Sequence, residues 1–314
     1  MHSARQADRN LLLVHTEEWQ DVGDFHIIKS LVEKMAPDIE VFVVENLSRS
    51  PIARKKAATR PSLIFSPIKL MAFRPARGKI YAGTAMSKLT EMGRLSAAGL
   101  PVPEFEEIQP GTRLSVDSYG PLVIVKPSYE LASWGQGVEL RRTDLVRHQP
   151  QEAYAPDHPG ALGPMIAQRF IDCGRAMTFR VLTLFGEPIF TYCREATKPL
   201  ALDILKDRFD QAEFMPAPPD RVSYISKDPD FLSLATRAYK AMPEIALQAC
   251  DILRAKTGEL YLLEINPGGG TWMFSSPSAK DYRATLGIDD LAAPFNAFQT
   301  CARLLVERTR AEAL

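Results

Sequence analysis

The sequence of 314 residues has few cysteines, no excess of charge of either sign and no long apolar run. Its 4 cysteines are isolated, without the paired spacing of a zinc site, so we expect reduced residues in the core. Lysine plus arginine and aspartate plus glutamate both number 38, so no overall field attracts nucleic acid or an anionic membrane. No apolar run approaches the roughly 18–20 residues of a membrane span, and the N-terminal residues lack the apolar core of a signal peptide. We therefore expect a cytoplasmic protein that binds neither nucleic acid nor membrane.

The sequence also lacks the short motifs of common hydrolases. It contains neither GxSxG nor HExxH, and none of its cysteines stands near a histidine. With 46% hydrophobic residues, a chain of this length can bury a large core and should divide into two or three subdomains.

A stretch near the C-terminal end carries charged residues that folding alone does not explain. Two apolar runs flank Thr257-Gly258, which predicts a β-hairpin with these residues as the turn. In that register Leu253 faces Leu262, and Asp251 lies directly opposite Glu264. Side chains that face each other in this way have Cβ atoms roughly 4.5–5.5 Å apart. The pattern therefore predicts two carboxylates held close together on rigid strands.

The facing carboxylates predict a metal site. They repel by about 3 kcal/mol at about 5 Å and an effective dielectric of about 20, so a positive group should lie between them. Asn266 projects from the same face as Glu264, and acid and amide oxygens suit Mg²⁺ or Mn²⁺. The alternative is that one acid is exposed to solvent or is neutralised by an arginine such as Arg254. Strand alternation places Arg254 on the face opposite Asp251, which disfavours this pairing. The predicted ligands are Asp251, Glu264 and Asn266. Neutralising either acid should leave the metal-free protein as stable as the wild type or more stable.

The hairpin resembles the metal-binding strands of the ATP-grasp superfamily, whose pattern is similar to vDil…G…yllEvNp. Residues 251–253, Gly258 and residues 263–267 carry the match. The C-terminal half is most similar to ribosomal-protein glutamate ligases and to D-alanine:D-alanine ligases. The resemblance implies that the acids and the amide hold Mg²⁺ ions that bridge the phosphates of ATP.

Two lysines fall in further segments that resemble this superfamily. Residues 85–103 are similar to its dK…L…aGiPvP helix, which implies that Lys88 contacts the α-phosphate. Without the resemblance, Lys88 would be an ordinary surface lysine. Lys126 ends an apolar strand, where a charge is costly unless it reaches solvent or meets an anion. The resemblance of its VKP sequence implies that Lys126 contacts the nucleotide.

A glycine-containing loop and a hinge complete the expected nucleotide site. Backbone N–H groups in the loop with Ser133, Gly135 and Gly137 could cradle phosphate, although a plain hairpin loop is the alternative. Residues 167–171 resemble the hinge that reads the adenine edge. The ATP-binding residues that the resemblance implies are Lys88, Lys126, Ser133, Gly135, Gly137, Gln168, Arg169, Phe170 and Ile171.

Two arginines are candidates for the reaction itself. A predicted hairpin that follows the hinge carries Arg180 and Arg194, and arginines within strands usually pair with anions. Corresponding positions of the glutamate ligases line the phosphate pocket, which implies a role at the γ-phosphate, more for Arg194 than for Arg180. The loop after the predicted metal strands and the end of the first strand are expected to bind substrate, through Glu17, Gly269, Gly270 and Ser275. The resemblance implies the role of Glu17, and a plain loop is the alternative at both places.

The expected fold class is α/β (α+β), an ATP-grasp fold in three units. Residues 1–84 should form a Rossmann-like domain with a parallel sheet, residues 85–164 a small central lid, and residues 165–314 an antiparallel-sheet subdomain. The resemblance implies an ATP-dependent ligase that joins a carboxylate to an amine through an acyl phosphate. An ATP-binding regulatory module without turnover and a kinase-like phosphoryl transfer remain open, as does a homodimer. The small-molecule carboxylate and amine are not identified by the sequence.

Overall fold

The computed structural model describes residues 7–47, 51–73, 77–129, 135–217 and 219–314. Within these ranges no helix is both long enough and apolar enough to cross a membrane. All 4 cysteines are free; Cys173 is half-buried and the other cysteines are buried.

The N-terminal unit alternates strands and helices, as its apolar runs predict. Its elements are β1 (Arg9–His15), α1 (Val22–Met35), β2 (Ile39–Glu45), α2 (Pro51–Thr59), β3 (Ser62–Ser66) and β4 (Lys79–Ala82). The strands form a parallel sheet in the order β2-β1-β3-β4. Because strand side chains alternate, Leu11 and Leu13 pack with α1, whereas Leu12 and Val14 pack on the α2 side. Both faces of the sheet are therefore covered, as parallel sheets require.

The middle of the chain begins with the helix that carries Lys88. Its elements are α3 (Lys88–Ala97), β5 (Phe105–Glu107), α4 (Val116–Tyr119), β6 (Leu122–Pro127), β7 (Glu139–Arg142) and β8 (Met165–Arg169). Ser87 caps α3 by accepting the N–H of Thr90, and Gly99 ends the helix turn with a φ of 70°.

The last part of the chain holds the large sheet and the closing helices. Its elements are β9 (Met177–Leu184), β10 (Glu187–Ala196), β11 (Arg208–Asp210), α5 (Gln211–Phe214), β12 (Arg221–Tyr224), α6 (Pro229–Ala241), β13 (Leu247–Arg254), β14 (Leu260–Asn266), α7 (Ala279–Leu286) and α8 (Ala297–Glu312). The last helix begins at Ala297, directly after Asn296, whose left-handed φ of 49° does not belong to a right-handed helix.

Two antiparallel sheets follow the parallel one. The large sheet has the order β12-β10-β9-β13-β14 and the middle sheet the order β11-β7-β6-β8-β5. The middle sheet thus includes β8 and β11, which lie beyond residue 164. The predicted boundary between residues 164 and 165 passes through this sheet, and the division into three units stays a prediction.

One face of the large sheet changes from apolar to polar along its strands. At one end Leu182 and Phe190 share a core with α1, α8 and the fully buried Trp272. Further along the same face stand Arg180 and Asp251, because alternate residues of each strand share a face. The opposite face packs apolar side chains against α6. The predicted metal ligands of β13 and β14 lie in this polar half of the face.

Candidate functional site

β13 and β14 form the predicted hairpin, and Asp251 pairs directly with Glu264. Nearer the turn the predicted register is wrong, because Leu253 pairs with Tyr261 and not with Leu262. The connecting loop is one residue longer than predicted, and a β-bulge in β14 then adds one residue on the other side. The two shifts cancel, so the carboxylates face each other as the sequence predicts.

A positive group does lie beside these carboxylates, but it comes from a strand that the hairpin does not contain. Arg180 on β9 stands next to Asp251 and donates to both carboxylate oxygens, at 2.7 and 2.6 Å. Arg254, the arginine that the sequence suggested, instead donates to Asp228 at 3.0 Å. Asn266 Nδ2 lies 3.2 Å from Asp251 Oδ2 and 3.5 Å from Glu264 Oε1. The three predicted metal ligands therefore meet at one place.

Both predicted lysines lie beside the carboxylate of Glu264. Glu264 Oε2 lies 3.1 Å from Lys88 Nζ and 3.6 Å from Lys126 Nζ. Burial opposes the charged form of Glu264, but the two lysines hold its pKa well below the usual range. Burial is the main cause that lowers the pKa of Lys126. The charge of Glu264 opposes this shift, and the charge of Lys88 adds to it. Lys88 and Lys126 therefore form a buried cationic pair that shares one carboxylate.

Glu91 is a further acid at this place that the sequence analysis missed. It is 2% exposed, its Oε2 lies 3.4 Å from Lys88 Nζ, and its Oε1 accepts the N–H of Ile265 at 2.5 Å. Burial raises the pKa of Glu91 to about 7, although Lys88 opposes this shift. Its position three residues after Lys88 on the predicted helix could have indicated that the two side chains lie on the same helix face. Glu91 ties α3 to the strand that carries Glu264.

The donor set fits a magnesium ion that is held together with phosphates. No group of three acids, histidines or cysteines in the described ranges could hold a metal. Asp251 and Glu264 supply carboxylate oxygens, which are hard donors, and the amide of Asn266, whose Nδ2 donates to Asp251 at 3.2 Å, carries a further hard oxygen, Oδ1. Mg²⁺ is commonly bound by one or two carboxylates together with substrate phosphates. These residues therefore fit Mg²⁺, or Mn²⁺, in the presence of a nucleotide.

A row of arginines continues across the same face towards the edge strand β12. Arg194 on β10 faces Thr178 and Ser223, and Arg221 lies two residues before Ser223. Nε of Arg194 and Nε of Arg221 are buried, without a hydrogen-bond partner in the part of the chain that the structure describes. Burial, and then the charge of Arg180, lower the pKa of Arg194. Arg180 is neutralised by Asp251, so the unpartnered donors of the row belong to the other two arginines.

No protein-family model and no curated protein matches the sequence, but solved structures match nearly all of the chain. The ATP-grasp ligase PsnB in complex with a minimal precursor is 14% identical, with a TM-score of 0.52, over 96% of this chain and 100% of that chain. The D-cycloserine synthetase DcsG is 14% identical, with a TM-score of 0.53, over 95% and 99%. The macrocyclase MdnC from Microcystis aeruginosa MRC, bound with the precursor peptide MdnA, is 13% identical, with a TM-score of 0.51, over 95% and 99%. This chain has the ATP-grasp fold. The predicted fold class is thereby confirmed.

In this ATP-grasp fold the predicted hinge lies where β8 leaves the middle sheet. Gln168 is buried and donates through Nε2 to the carbonyl of Leu263 at 3.4 Å, which joins β8 to β14. The N–H groups of Arg169 and Phe170 donate to carbonyls of the middle unit at 2.8 and 3.3 Å, and Ile171 is buried. Contact between these four residues and adenine stays a prediction.

The predicted phosphate loop of the ATP-grasp fold is described in part. Ser133 lies outside the described residues. Gly135 and Gly137 have φ values of 71° and 67°, a left-handed conformation that side chains rarely adopt. A Cβ on Gly135 would stand 2.7 Å from Oε1 of Gln211, so α5 lies against this loop.

The predicted substrate residues lie on both sides of the junction with the N-terminal unit. Ser275 donates to Asp24 at 2.5 Å and accepts the N–H of Asp21 at 3.0 Å, so its hydroxyl fixes the loop to the start of α1. Burial raises the pKa of Asp24, which the sequence analysis also missed. Glu17 is exposed in the turn after β1. Gly269 and Gly270 begin a short 3-10 turn after β14.

Proposed function

We propose that this protein is an ATP-dependent ligase that joins a carboxylate to an amine through an acyl phosphate and releases ADP and phosphate. The observation that supports this most is the meeting of Asp251, Glu264 and Asn266 with Lys88 and Lys126 on one face of an ATP-grasp fold. The named structures of similar fold include a ligase and a macrocyclase with bound precursors, and a synthetase. They support this reaction class and leave the substrates open.

We assign the nucleotide to the place where β6 of the middle sheet meets β13 and β14 of the large sheet. Asp251, Glu264 and Asn266 would hold Mg²⁺, which would neutralise the charge of the phosphates. Lys88 and Lys126 now share the carboxylate of Glu264, and phosphate oxygens would give each ammonium an anionic partner. The remaining ATP contacts in this proposal are those of Ser133, Gly135, Gly137, Gln168, Arg169, Phe170 and Ile171.

The reaction proceeds in two displacements. An oxygen of the substrate carboxylate attacks the γ-phosphorus of ATP, the bond from that phosphorus to the bridging oxygen breaks, and ADP leaves. The amine nitrogen then attacks the acyl carbon, the bond from carbon to the phosphate oxygen breaks, and the amine loses its proton to water. Arg194 donates to the oxygens that gain charge, and Arg180 holds Asp251 in place. Glu17, Gly269, Gly270 and Ser275 are the proposed contacts to the carboxylate and amine substrates.

The test is the dependence of ADP release on both substrates. Purified protein with Mg²⁺ and ATP is incubated with pools of carboxylates, of amines, and of both together, and ADP, AMP and phosphate are measured. A ligase releases ADP only with both pools, a phosphoryl transferase with one acceptor, and a binding module with neither. Hydroxylamine in place of the amine should give a hydroxamate with stoichiometric ADP. AMP with pyrophosphate would contradict the acyl phosphate and indicate an adenylate instead.

A further inference from the structure

We propose that the carboxylate substrate of this site carries a second carboxylate, which Arg221 binds at the β12 end of the large sheet. This inference rests on the proposed ligase function, because it names the class of acid that the same site accepts. The substrate would be a dicarboxylic acid, or a peptide with neighbouring acidic residues, which share this chemistry.

The register of the sheet places Arg221 beside Arg194. Arg194 pairs with Ser223 on β12, and Arg221 precedes Ser223 by two residues, so both arginines project from the face that also bears Asp251. Diagonal neighbours of this kind lie roughly 7–8 Å apart, within reach of long side chains. The two guanidinium groups therefore border one stretch of the face.

The two arginines have donors that the described residues leave unused. Nε of each is buried without a hydrogen-bond partner in the described part of the chain. Arg180, in contrast, donates through Nε and Nη2 to the two carboxylate oxygens of Asp251. Glu195, the nearest acid along β10, alternates to the opposite face and pairs with Arg175 at 3.5 Å. An unpaired buried donor costs free energy, and two adjacent cations repel, so an anion between them would stabilise both.

A single phosphate cannot serve both arginines and the metal strands. β12 is separated from β13 by β10 and β9, and neighbouring strands lie about 4.8 Å apart, which gives about 14 Å across the sheet. The γ-phosphate belongs near Asp251 on β13, and Arg194 lies between it and Arg221. Arg194 is therefore in place for the reacting carboxyl group, whereas the anion at Arg221 must come from the rest of the substrate.

Two tyrosine rings pack beside Arg194. The guanidinium of Arg194 lies 5.6 Å from the ring centroid of Tyr192, and that ring lies 4.7 Å from the ring of Tyr282. The Tyr192 hydroxyl lies 3.2 Å from Oγ of Ser223. Tyr192 thus links β10 to β12 and holds the two arginine-bearing strands as one surface.

Binding is measured without turnover, so that its outcome does not depend on the proposed reaction. Thermal shift and calorimetry are run with succinate, glutarate, adipate and a Glu-Glu dipeptide, and with the monoamides of the three acids. We expect the wild-type protein to bind at least one dicarboxylate about 10- to 100-fold more tightly than its monoamide. Arg221→Gln should remove this preference, and Arg221→Lys should keep part of it. Arg175→Gln changes an exposed arginine in the bend before β9 that pairs with Glu195, and it should keep all of the preference.

Several outcomes would overturn the proposal. These are equal affinity for each acid and its monoamide, a preference that survives Arg221→Gln, binding of none of the dicarboxylates, or stronger binding of phosphonoacetate than of every dicarboxylate. ADP release with hydroxylamine separates a failure of the ligase function from a failure of the second-carboxylate proposal. If dicarboxylates bind through Arg221 but ADP is never released, the ligase function fails and the binding site stands. If monoacids and diacids release ADP equally, the ligase function stands and the second carboxylate is wrong.

Discussion

Asp251 lies in a bidentate ion pair with Arg180, and this contact reverses what the isolated hairpin suggests about stability. In the hairpin alone, removing one carboxylate would relieve repulsion. In the folded protein, Asp251→Asn leaves the Arg180 guanidinium without its counter-ion in a largely buried place. We expect a loss of up to about 3 kcal/mol in the free energy of unfolding, as for a broken buried pair. Urea unfolding of the metal-free protein measures it.

Asp172→Asn is the matched control for that measurement. Asp172 pairs with Lys256 at 2.5 Å, but both side chains are exposed, so we expect a loss within about 1 kcal/mol. Binding of an ATP analogue with Mg²⁺ should weaken in Asp251→Asn and stay unchanged in Asp172→Asn. If Asp251→Asn were as stable as the wild type, the ion pair would not contribute to the fold.

Lys126 is buried at the end of β6, and we expect it to serve the nucleotide. Lys126→Met keeps the aliphatic stem and removes a charge that burial already disfavours. The loss of a charged contact to phosphate should weaken the binding of an ATP analogue by about 10- to 100-fold in calorimetry. Lys240→Met, at an exposed position of α6, is the control and should bind as the wild type does. Equal affinity in Lys126→Met would show that this strand does not face the nucleotide.

Arg194 should act on the reaction more than on binding. In the proposed reaction Arg194 contacts the acyl phosphate and this contact strengthens as charge develops, so Arg194→Ala should lower kcat by about 10²–10³ and change the affinity for ATP little. Steady-state kinetics with hydroxylamine and an accepted carboxylate separate the two parameters. A rise in KM for ATP with unchanged kcat would place Arg194 at the ground-state nucleotide instead.

At the scale of elements, Glu91 joins α3 to β14 and makes their contact sensitive to pH. Its pKa rises from a usual 4.5 to about 7 through burial, so the folded protein holds this proton more tightly than the unfolded chain. The stability that this proton contributes is full below pH 4.5 and is lost as the pH rises to about 7. Glu264 acts in the opposite sense and only at lower pH, because its pKa is depressed.

The variant Glu91→Gln isolates this effect, because the amide oxygen can still accept the N–H of Ile265. Compared with Glu91→Gln, the wild type should lose up to about 1.4 kcal/mol of stability per pH unit across this window. Chemical unfolding at a series of pH values gives the two curves. Glu33→Gln, which removes the carboxylate of an exposed pair with Lys29 on α1, should run parallel to the wild type. A parallel curve for Glu91→Gln as well would mean that Glu91 stays charged throughout.

At the scale of the whole molecule, the apolar cores divide the chain unevenly. The N-terminal sheet, α8 and one face of the large sheet share a core around Trp272. The middle sheet has separate clusters, one of which contains Leu122, Leu140 and Phe209. The contacts of Lys126 and Gln168 to β14 are polar. We therefore expect the middle sheet to open independently of the rest.

Hydrogen exchange in core variants tests this division. Leu140→Ala removes a fully buried side chain and should cost about 2–5 kcal/mol. We expect faster exchange in β6, β7 and β8 and unchanged exchange in β9, β10 and β13. Leu182→Ala, in the shared core, should instead accelerate exchange in the large sheet and in β1 together. Uniform acceleration by Leu140→Ala would indicate a single cooperative unit.

The sequence by itself determined the features that depend on local order. Apolar runs predicted the βαβ start, and the turn at Thr257-Gly258 placed Asp251 opposite Glu264, because both signals lie in neighbouring residues. The order of the lysine, hinge and metal segments predicted the ATP-grasp fold. The loop length near the turn was wrong by one residue, and the bulge that corrects it leaves no local signal.

Only the tertiary structure decided which charges meet. Arg180 pairs with Asp251 across 71 positions of sequence, and Glu91 reaches Ile265 across 174. Arg221 stands beside Arg194 only because β12 joins the edge of the large sheet. Such contacts depend on sheet order and on the packing of helices against strands, and the residues near each partner in the chain do not encode them. The sequence therefore identified the residue types of the candidate site, whereas the fold set their ionic partners and, within the described residues, left Nε of Arg194 and of Arg221 without a hydrogen-bond partner.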